Sequence, residues 1–305
     1  MKANIEAKDK YYNWYDTKSY VQALEDYEEI LKIQLAVYGK DKPHLDVATS
    51  YNNIGGVYDS MGKYPEALEE YKKALDMRLA VYGKDKPHPH VAISYNNIGG
   101  VYNRMGKYPE ALEKIKKALD MRLAVYGKDK PHPDVAASYN NIGGVYDSMG
   151  KYPEALEEFK KALGMWLAVH GKYKTHPDVA ASYNKFGSVY CSMGKYPEAL
   201  EEFKKALDMW LTLYGKEKTH HDVATSYHYI GSVYQRRGEK GDIEKAIELH
   251  ESSLEMNKEI YLTGDVKVHH KVATSQNNLA EAYLSRGGKG DIEKAIKLHE
   301  SSLQM

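Results

Sequence analysis

The stretch Tyr51-Asn-Asn-Ile-Gly-Gly-Val-Tyr58, followed by Met61-Gly-Lys-Tyr-Pro-Glu-Ala-Leu68, returns almost unchanged at Tyr95, Tyr139 and Tyr183, each time 44 residues further on. A looser copy begins at Tyr227 and another at Gln276, after a spacing of 49. Self-similarity at such a period marks stacked supersecondary units, each burying its apolar face against the next, and not one closed core. Within a unit, Tyr51, Ile54, Gly55 and Tyr58 fall at i, i+3, i+4 and i+7, which is one face of a helix. Met61-Gly62-Lys63 ends it, with Gly62 where a left-handed residue closes a helix. Pro65 then sits in the first turn of a second helix, with Glu66, Glu69 and Glu70 near its positive end. That helix is expected to bury Ala67, Leu68, Tyr71, Ala74 and Leu75 and to run on to Gly83, completing a helix hairpin. Gly55 is expected to face Ala67 or Ala74, small residues that allow a close approach.

Composition narrows the function classes. Lys plus Arg and Asp plus Glu both number 43, so the formal charge is zero and a general nucleic-acid surface is a poor first guess. The single cysteine, Cys191, excludes an internal disulfide and suits a reducing compartment. No run is long and apolar enough for a membrane helix, and the first residues lack a signal-peptide core, so the cytoplasm is the expected location. Tyrosine occurs 28 times against three phenylalanines because it fills the repeated aromatic positions, burying a ring while its hydroxyl reaches a polar edge.

The pattern Tyr51-x2-Ile54-Gly55-x2-Tyr58, then Ala67-x3-Tyr71 and Ala74, resembles the tetratricopeptide repeat consensus. The proline that ends the family's second helix is replaced by Leu79; the longer second helix and its loop make the unit most similar to the kinesin light chain type of repeat. The resemblance implies an all-α fold, an α-α superhelix or solenoid of about six helix-hairpin repeats behind a partial N-terminal repeat, spanning 1–305 as one domain. Residues 1–43 form the partial repeat, its first helix degenerate with Trp14 at the place of Tyr58. Repeats follow at 44–87, 88–131, 132–175, 176–219, 220–268 and 269–305. The last two insert residues between their helices (Gly238-Glu-Lys-Gly-Asp242 in the first of them) and replace the Tyr71 and Ala74 positions by His250 and Ser253, then His299 and Ser302.

Beside the buried stripe of each first helix runs a second one, beginning Asn52, Gly56, Asp59. In the family this stripe lines the concave face. Its members here include Asn96, Gly100 and Asn103, then Asn140 and Gly144, then Asn184, and finally Asn277. An amide donates and accepts, which suits an extended peptide backbone, and similar asparagines in kinesin light chain-like repeats contact peptide main chain. The resemblance therefore implies a peptide-binding column of Asn52, Asn96, Asn140, Asn184 and Asn277, with Gly56, Gly100 and Gly144 admitting a close approach. Arg104, Lys185 and Arg236 are expected to lend it positive charge. A second column, Asn53, Asn97, Asn141 and Lys185, reads equally well as inter-repeat hydrogen bonding.

The repeated His88, His132 and His176 read as loop structure, with Asp134 or Asp178 capping the next helix, because copies one helix width apart cannot converge on a metal ion. Cys191 has no histidine beside it in the pattern, and the Gly-Gly pairs lie inside helices and not between strand and helix. No catalytic, cofactor or metal site is expected. The leading reading is a non-catalytic scaffold for a protein or peptide partner, without nucleic acid or membrane. The alternative is an array that self-associates through its C-terminal helix, or that serves as the sensing arm of an effector outside this chain.

Overall fold

A computed structural model of the chain describes residues 17–40, 42–171, 175–215, 219–262 and 269–303. Trp14 and the last two residues, Gln304 and Met305, lie outside the described residues. Among those described, the secondary structure is thirteen α-helices with no strand: α1 (Thr17–Tyr38), α2 (Leu45–Ser60), α3 (Tyr64–Tyr82), α4 (Pro89–Arg104), α5 (Tyr108–Tyr126), α6 (Pro133–Ser148), α7 (Tyr152–His170), α8 (Pro177–Ser192), α9 (Tyr196–Tyr214), α10 (His221–Arg237), α11 (Asp242–Tyr261), α12 (His270–Arg286) and α13 (Asp291–Leu303). The chain divides inside α7 into two compact units, Met1–Met165 and Trp166–Met305.

In each unit, a first helix pairs with the second helix that follows it. Gly62, Gly106, Gly150 and Gly194, between the helices of a hairpin, take φ of 71–72°, the left-handed region where a side chain is strained. Ala67, Leu68, Tyr71, Ala74 and Leu75 are all buried, as their spacing requires. The glycine contact is different from the expected one. A Cβ on Gly55 would meet the Tyr71 ring at 2.8 Å, one on Gly99 would meet Ile115 at 2.5 Å, and one on Gly143 would meet Phe159 at 2.7 Å. The first glycine of each pair therefore makes room for a large side chain, with the backbone of Ala111 or Ala155 beside it for Gly99 and Gly143. The neighbouring repeat is held apolarly: Leu68, Tyr71 and Leu75 share a cluster with Val91, Tyr95, Ile98 and Val101 of the next first helix. Each such large apolar side chain stabilises the stack by about 1.5–3 kcal/mol when fully buried.

A polar rung crosses most of these junctions. Ser50 donates to Gln34 at 2.8 Å, Arg78 and Arg122 donate to Ser94 and Ser138 at 2.7 and 2.6 Å, and Asn257 donates to Ser275 at 2.8 Å. Trp166 and Trp210 take the corresponding register in the second unit, where their buried Nε1 atoms have no acceptor.

The loops carry a second tie. Tyr38, Tyr82, Tyr126 and Tyr214 stack on His44, His88, His132 and His220 at 3.4–3.5 Å between centroids, and Tyr261 stacks on His269 at 4.0 Å. These histidines, not the following aspartates, are the helix N-caps: Nδ1 of His132 accepts from the Asp134 backbone N–H at 3.1 Å, and His176 does the same for Asp178 at 3.2 Å. The aspartate instead accepts from the tyrosine hydroxyl, as Asp134 does from Tyr126 at 2.9 Å. A cap and a stacked ring compete for the same two-residue loop segment, and histidine serves both uses where aspartate would serve one.

Candidate functional site

In the first unit, Asn52, Asn96 and Asn140 project from α2, α4 and α6 and are partly exposed. They are not independent groups. Asn97 donates through Nδ2 to Asn52 Oδ1 at 3.0 Å, and Asn141 donates to Asn96 Oδ1 at 2.7 Å. The second asparagine of each pair thus reaches back to the first asparagine of the preceding repeat, forming a ladder. Asn52 and Asn96 spend their carbonyls on it, and among the described residues no acceptor meets their Nδ2 groups. The column therefore offers donors, which suits a ligand rich in carbonyl or carboxylate oxygen. Asn140 Oδ1 and Asn103 Oδ1 are buried without a partner.

The second glycines behave unlike the first. A Cβ on Gly144 would meet nothing within 4 Å, and one on Gly100 would meet only the Arg104 guanidinium, at 3.6 Å. Both are partly exposed beside the amides, as is Gly56. For Gly100 and Gly144, the cost of a glycine in a helix interior has no return in close packing among the described residues.

Arg104 supplies less free charge than expected. Its guanidinium embraces Asp59 of the preceding repeat, Nε lying 2.8 Å from Oδ1, with a further contact from Nη2. Burial nevertheless holds the Asp59 carboxyl above its ordinary pKa, outweighing the arginine. Lys185 is exposed in the second unit, and Arg236 lies with Nη1 3.7 Å from Cys191 Sγ.

In the second unit the ladder changes chemistry. Asn184 Oδ1 is buried without a partner, and Asn277 accepts from Ser302 at 2.7 Å. His228 stands where the first unit has Asn52, and its Nδ1 lies 3.0 Å from Asn278 Nδ2. Behind it His250 is 1% exposed, packed on Gly231 and 5.5 Å from the His228 ring. Burial first, then Lys271 and Arg236, holds His228 below its usual pKa. Burial and His228 bring His250 down to about 4.

Two loop clusters bring three metal-type donors within 4.8 Å, namely His170, His176 and Asp178, and His220, His221 and Asp222. In both, the N-cap histidine has its Nδ1 engaged by a backbone N–H. The His170 and His176 rings stack at 3.3 Å with planes 12° apart, so their in-plane lone pairs run side by side and do not converge. Both clusters also sit at the positive end of a helix, which disfavours a cation. The fold positions them as joints.

The register of the polar rung and the identity of the loop cap are the features that pattern reading did not find. The signal for the rung was present, in the recurrence of Ser50, Ser94, Ser138, Ser182 and Ser226 one period apart.

Among the described residues no helix is long and apolar enough to cross a membrane. Sequence models of the tetratricopeptide repeat match residues 15–86, 90–168 and 178–259 in one case and 53–124 and 141–210 in another. No curated protein matches the chain. Among solved structures, it is similar to BtubC (BKLC) from P. vanneervenii, with 19% identity, a TM-score of 0.58, and coverage of 80% of this chain and 88% of that one. A putative kinesin light chain of nearly identical TPR-like repeats from Podosopora anserina is 23% identical, with a TM-score of 0.54 and coverage of 71% and 95%. A signal transduction ATPase with numerous domains and a tetratricopeptide repeat sensor, from Pyrococcus horikoshii, is 16% identical, with a TM-score of 0.61 and coverage of 94% and 42%. At these identities the likeness is one of fold. With the hairpins, the packing glycines and the family matches over most of its length in agreement, the chain belongs to the tetratricopeptide repeat family.

Proposed function

We propose that this chain is a non-catalytic scaffold that holds an extended segment of a partner protein along the asparagine column of its first helices. Tetratricopeptide repeats are protein-interaction scaffolds, and the column narrows that role to a surface. In the first unit the contacts are Asn52, Asn96 and Asn140, with Gly56, Gly100, Gly144, Asn103 and Arg104 around them; in the second they are Asn184, Lys185, Arg236 and Asn277. One observation carries the reading: the ladder consumes the carbonyls of Asn52 and Asn96 and leaves their N–H groups for a ligand, in a column where a Cβ on Gly100 or Gly144 would meet at most the Arg104 guanidinium among the described residues. The cytoplasm is the compartment that suits a chain with one cysteine. A screen of the full chain against arrayed linear peptides tests the proposal. Asn96→Ala combined with Asn140→Ala should weaken captured peptides about tenfold or more, and unchanged binding would count against the column.

Self-association through the last helix is the second reading, favoured by its surface. Ile292, Ile296 and Leu303 of α13 are 62%, 50% and 86% exposed, whereas Ile247 and Leu254, at the register of the last two, are 5% and 6% exposed under α12. Sedimentation across a wide concentration range decides it: growth in mass with concentration supports association, and a monomer throughout removes it. A sensor arm attached to an effector outside this chain is compatible with either reading.

A further inference from the structure

We infer that the His228–His250 pair is a proton-operated latch, which closes α10 and α11 onto α12 at neutral pH and releases them in mild acid. The latch stands on three features of the second unit. First, His250 fills the register that Phe159 and Phe203 fill in the repeats before it, at a similarly close distance from a helix glycine, here 3.0 Å to a Cβ on Gly231. It is 1% exposed and its Nε2 has no partner, so a proton taken up there would have neither solvent nor acceptor. Second, the rung between α10 and α12 runs through His228. Where Asn97 and Asn141 meet an amide oxygen, Asn278 meets Nδ1 of an imidazole, at 3.0 Å. An amide oxygen accepts at every pH. Nδ1 accepts only while unprotonated, and a proton there forces the Asn278 amide to turn over or let go.

Third, the charges around the pair share one sign. His228 of α10 faces Arg236 from its own helix and Lys271 from α12, and the ionisable group facing His250 is His228 itself. Among the described residues no carboxylate acts on either ring, in contrast to the loop joints, where Asp46, Asp134 and Asp222 lie 3.7, 3.9 and 3.5 Å from the cap histidine's Nδ1. Acid therefore strains this junction, together with the α12 cap His269, which burial, His270 and Lys271 bring down to about 4, while those three joints can answer a protonated histidine with a carboxylate. The sign is fixed by the pair's depressed pKa. A histidine that resists protonation when folded contributes stability that is whole above the unfolded value of about 6.5, and that falls away as pH drops toward the folded value of about 4.

Hydrogen exchange on the full chain, corrected for intrinsic rates, tests this at pH 7.5 and 5.0. His250 alone predicts about thirtyfold loss of protection over that interval by linkage. The loss should be greatest on α10, α11 and α12, and smaller in the first unit, where His88 is also held below its usual pKa by burial, His90 and Arg78. The variant His228→Asn with His250→Phe restores the ladder amide and the aromatic filler, and should recover the roughly thirtyfold share of His250, keeping only the loss that His269 contributes. Equal loss in the variant, or none in the natural chain, overturns the latch. Should the variant not fold, the imidazole proton resonances of the natural chain decide: a His250 midpoint near 4 with His228 below its ordinary value sustains the latch, and an ordinary midpoint of about 6.5 for His250 defeats it.

Discussion

The adjacent glycines Gly99-Gly100 and Gly143-Gly144 do opposite work, and the difference is one of distance. The first lies against a core ring or aliphatic chain; its neighbour, as at Gly144, borders open space. Gly143→Ala should therefore destabilise the fold by about 1–3 kcal/mol through overpacking against Phe159. Gly144→Ala should stabilise it by about 0.8–1.0 kcal/mol, because alanine is the better helix former where nothing obstructs it. Urea unfolding of the two variants side by side separates these signs, and equal effects would remove the distinction between the two positions. The periodicity made Gly55 and its copies legible as core, since they share a helical face with Tyr51 and Ile54. It could not say what they face, because Ala67, Tyr71 and Ala74 all point from the partner helix toward the same interface. Nor could it choose between His132 and Asp134 as the cap, since both residue types accept hydrogen bonds and only the stacked Tyr126 ring selects the histidine.

At the scale of the helix pair, the two C-terminal repeats hold their lengthened turns with an ion pair in which the aspartate is buried and the arginine reaches solvent. Arg237 and Arg286 each grip the first residue of the following helix, Asp242 and Asp291, through Nε and Nη2, and each aspartate also accepts a loop backbone N–H. The Arg286 guanidinium and the Gly288 N–H hold the Asp291 carboxyl at about 2. The folded carboxyl binds its proton less tightly than the unfolded one, so the pair's stabilisation is complete above the unfolded value of about 3.9 and fades as pH falls toward about 2. Asp291→Asn should lower the melting temperature at pH 7, with the gap to the natural chain closing between pH 4 and 2. A gap independent of pH would assign the effect to packing alone. The insertion was visible in the sequence as Gly238-Glu-Lys-Gly-Asp242, but the clasp was not, because Arg237 and Asp242 fall on different elements.

For the molecule as a whole, the repeat period carried most of the fold: helix pairs, their boundaries and their buried faces follow from spacing. The candidate surface was legible as a column of residue types and not as a network. The sequence already set Asn97 and Asn141 in a second column that read as inter-repeat hydrogen bonding; it did not say that their partners would be Asn52 and Asn96 of the first column, whose carbonyls accept from them. The same network explains why Arg104 adds less positive charge than a lone arginine, since Asp59 answers it. The proposed scaffold role requires a partner segment to lie against α4 and α6, where Gly100 and Gly144 leave room. Gly144→Arg is the sharpest probe of that requirement, because a Cβ added there meets nothing within 4 Å among the described residues. With peptides selected on the natural chain, calorimetric titration should show affinity reduced tenfold or more while the variant's melting temperature is unchanged or raised. Full affinity in a folded Gly144→Arg variant would contradict the scaffold role at this surface.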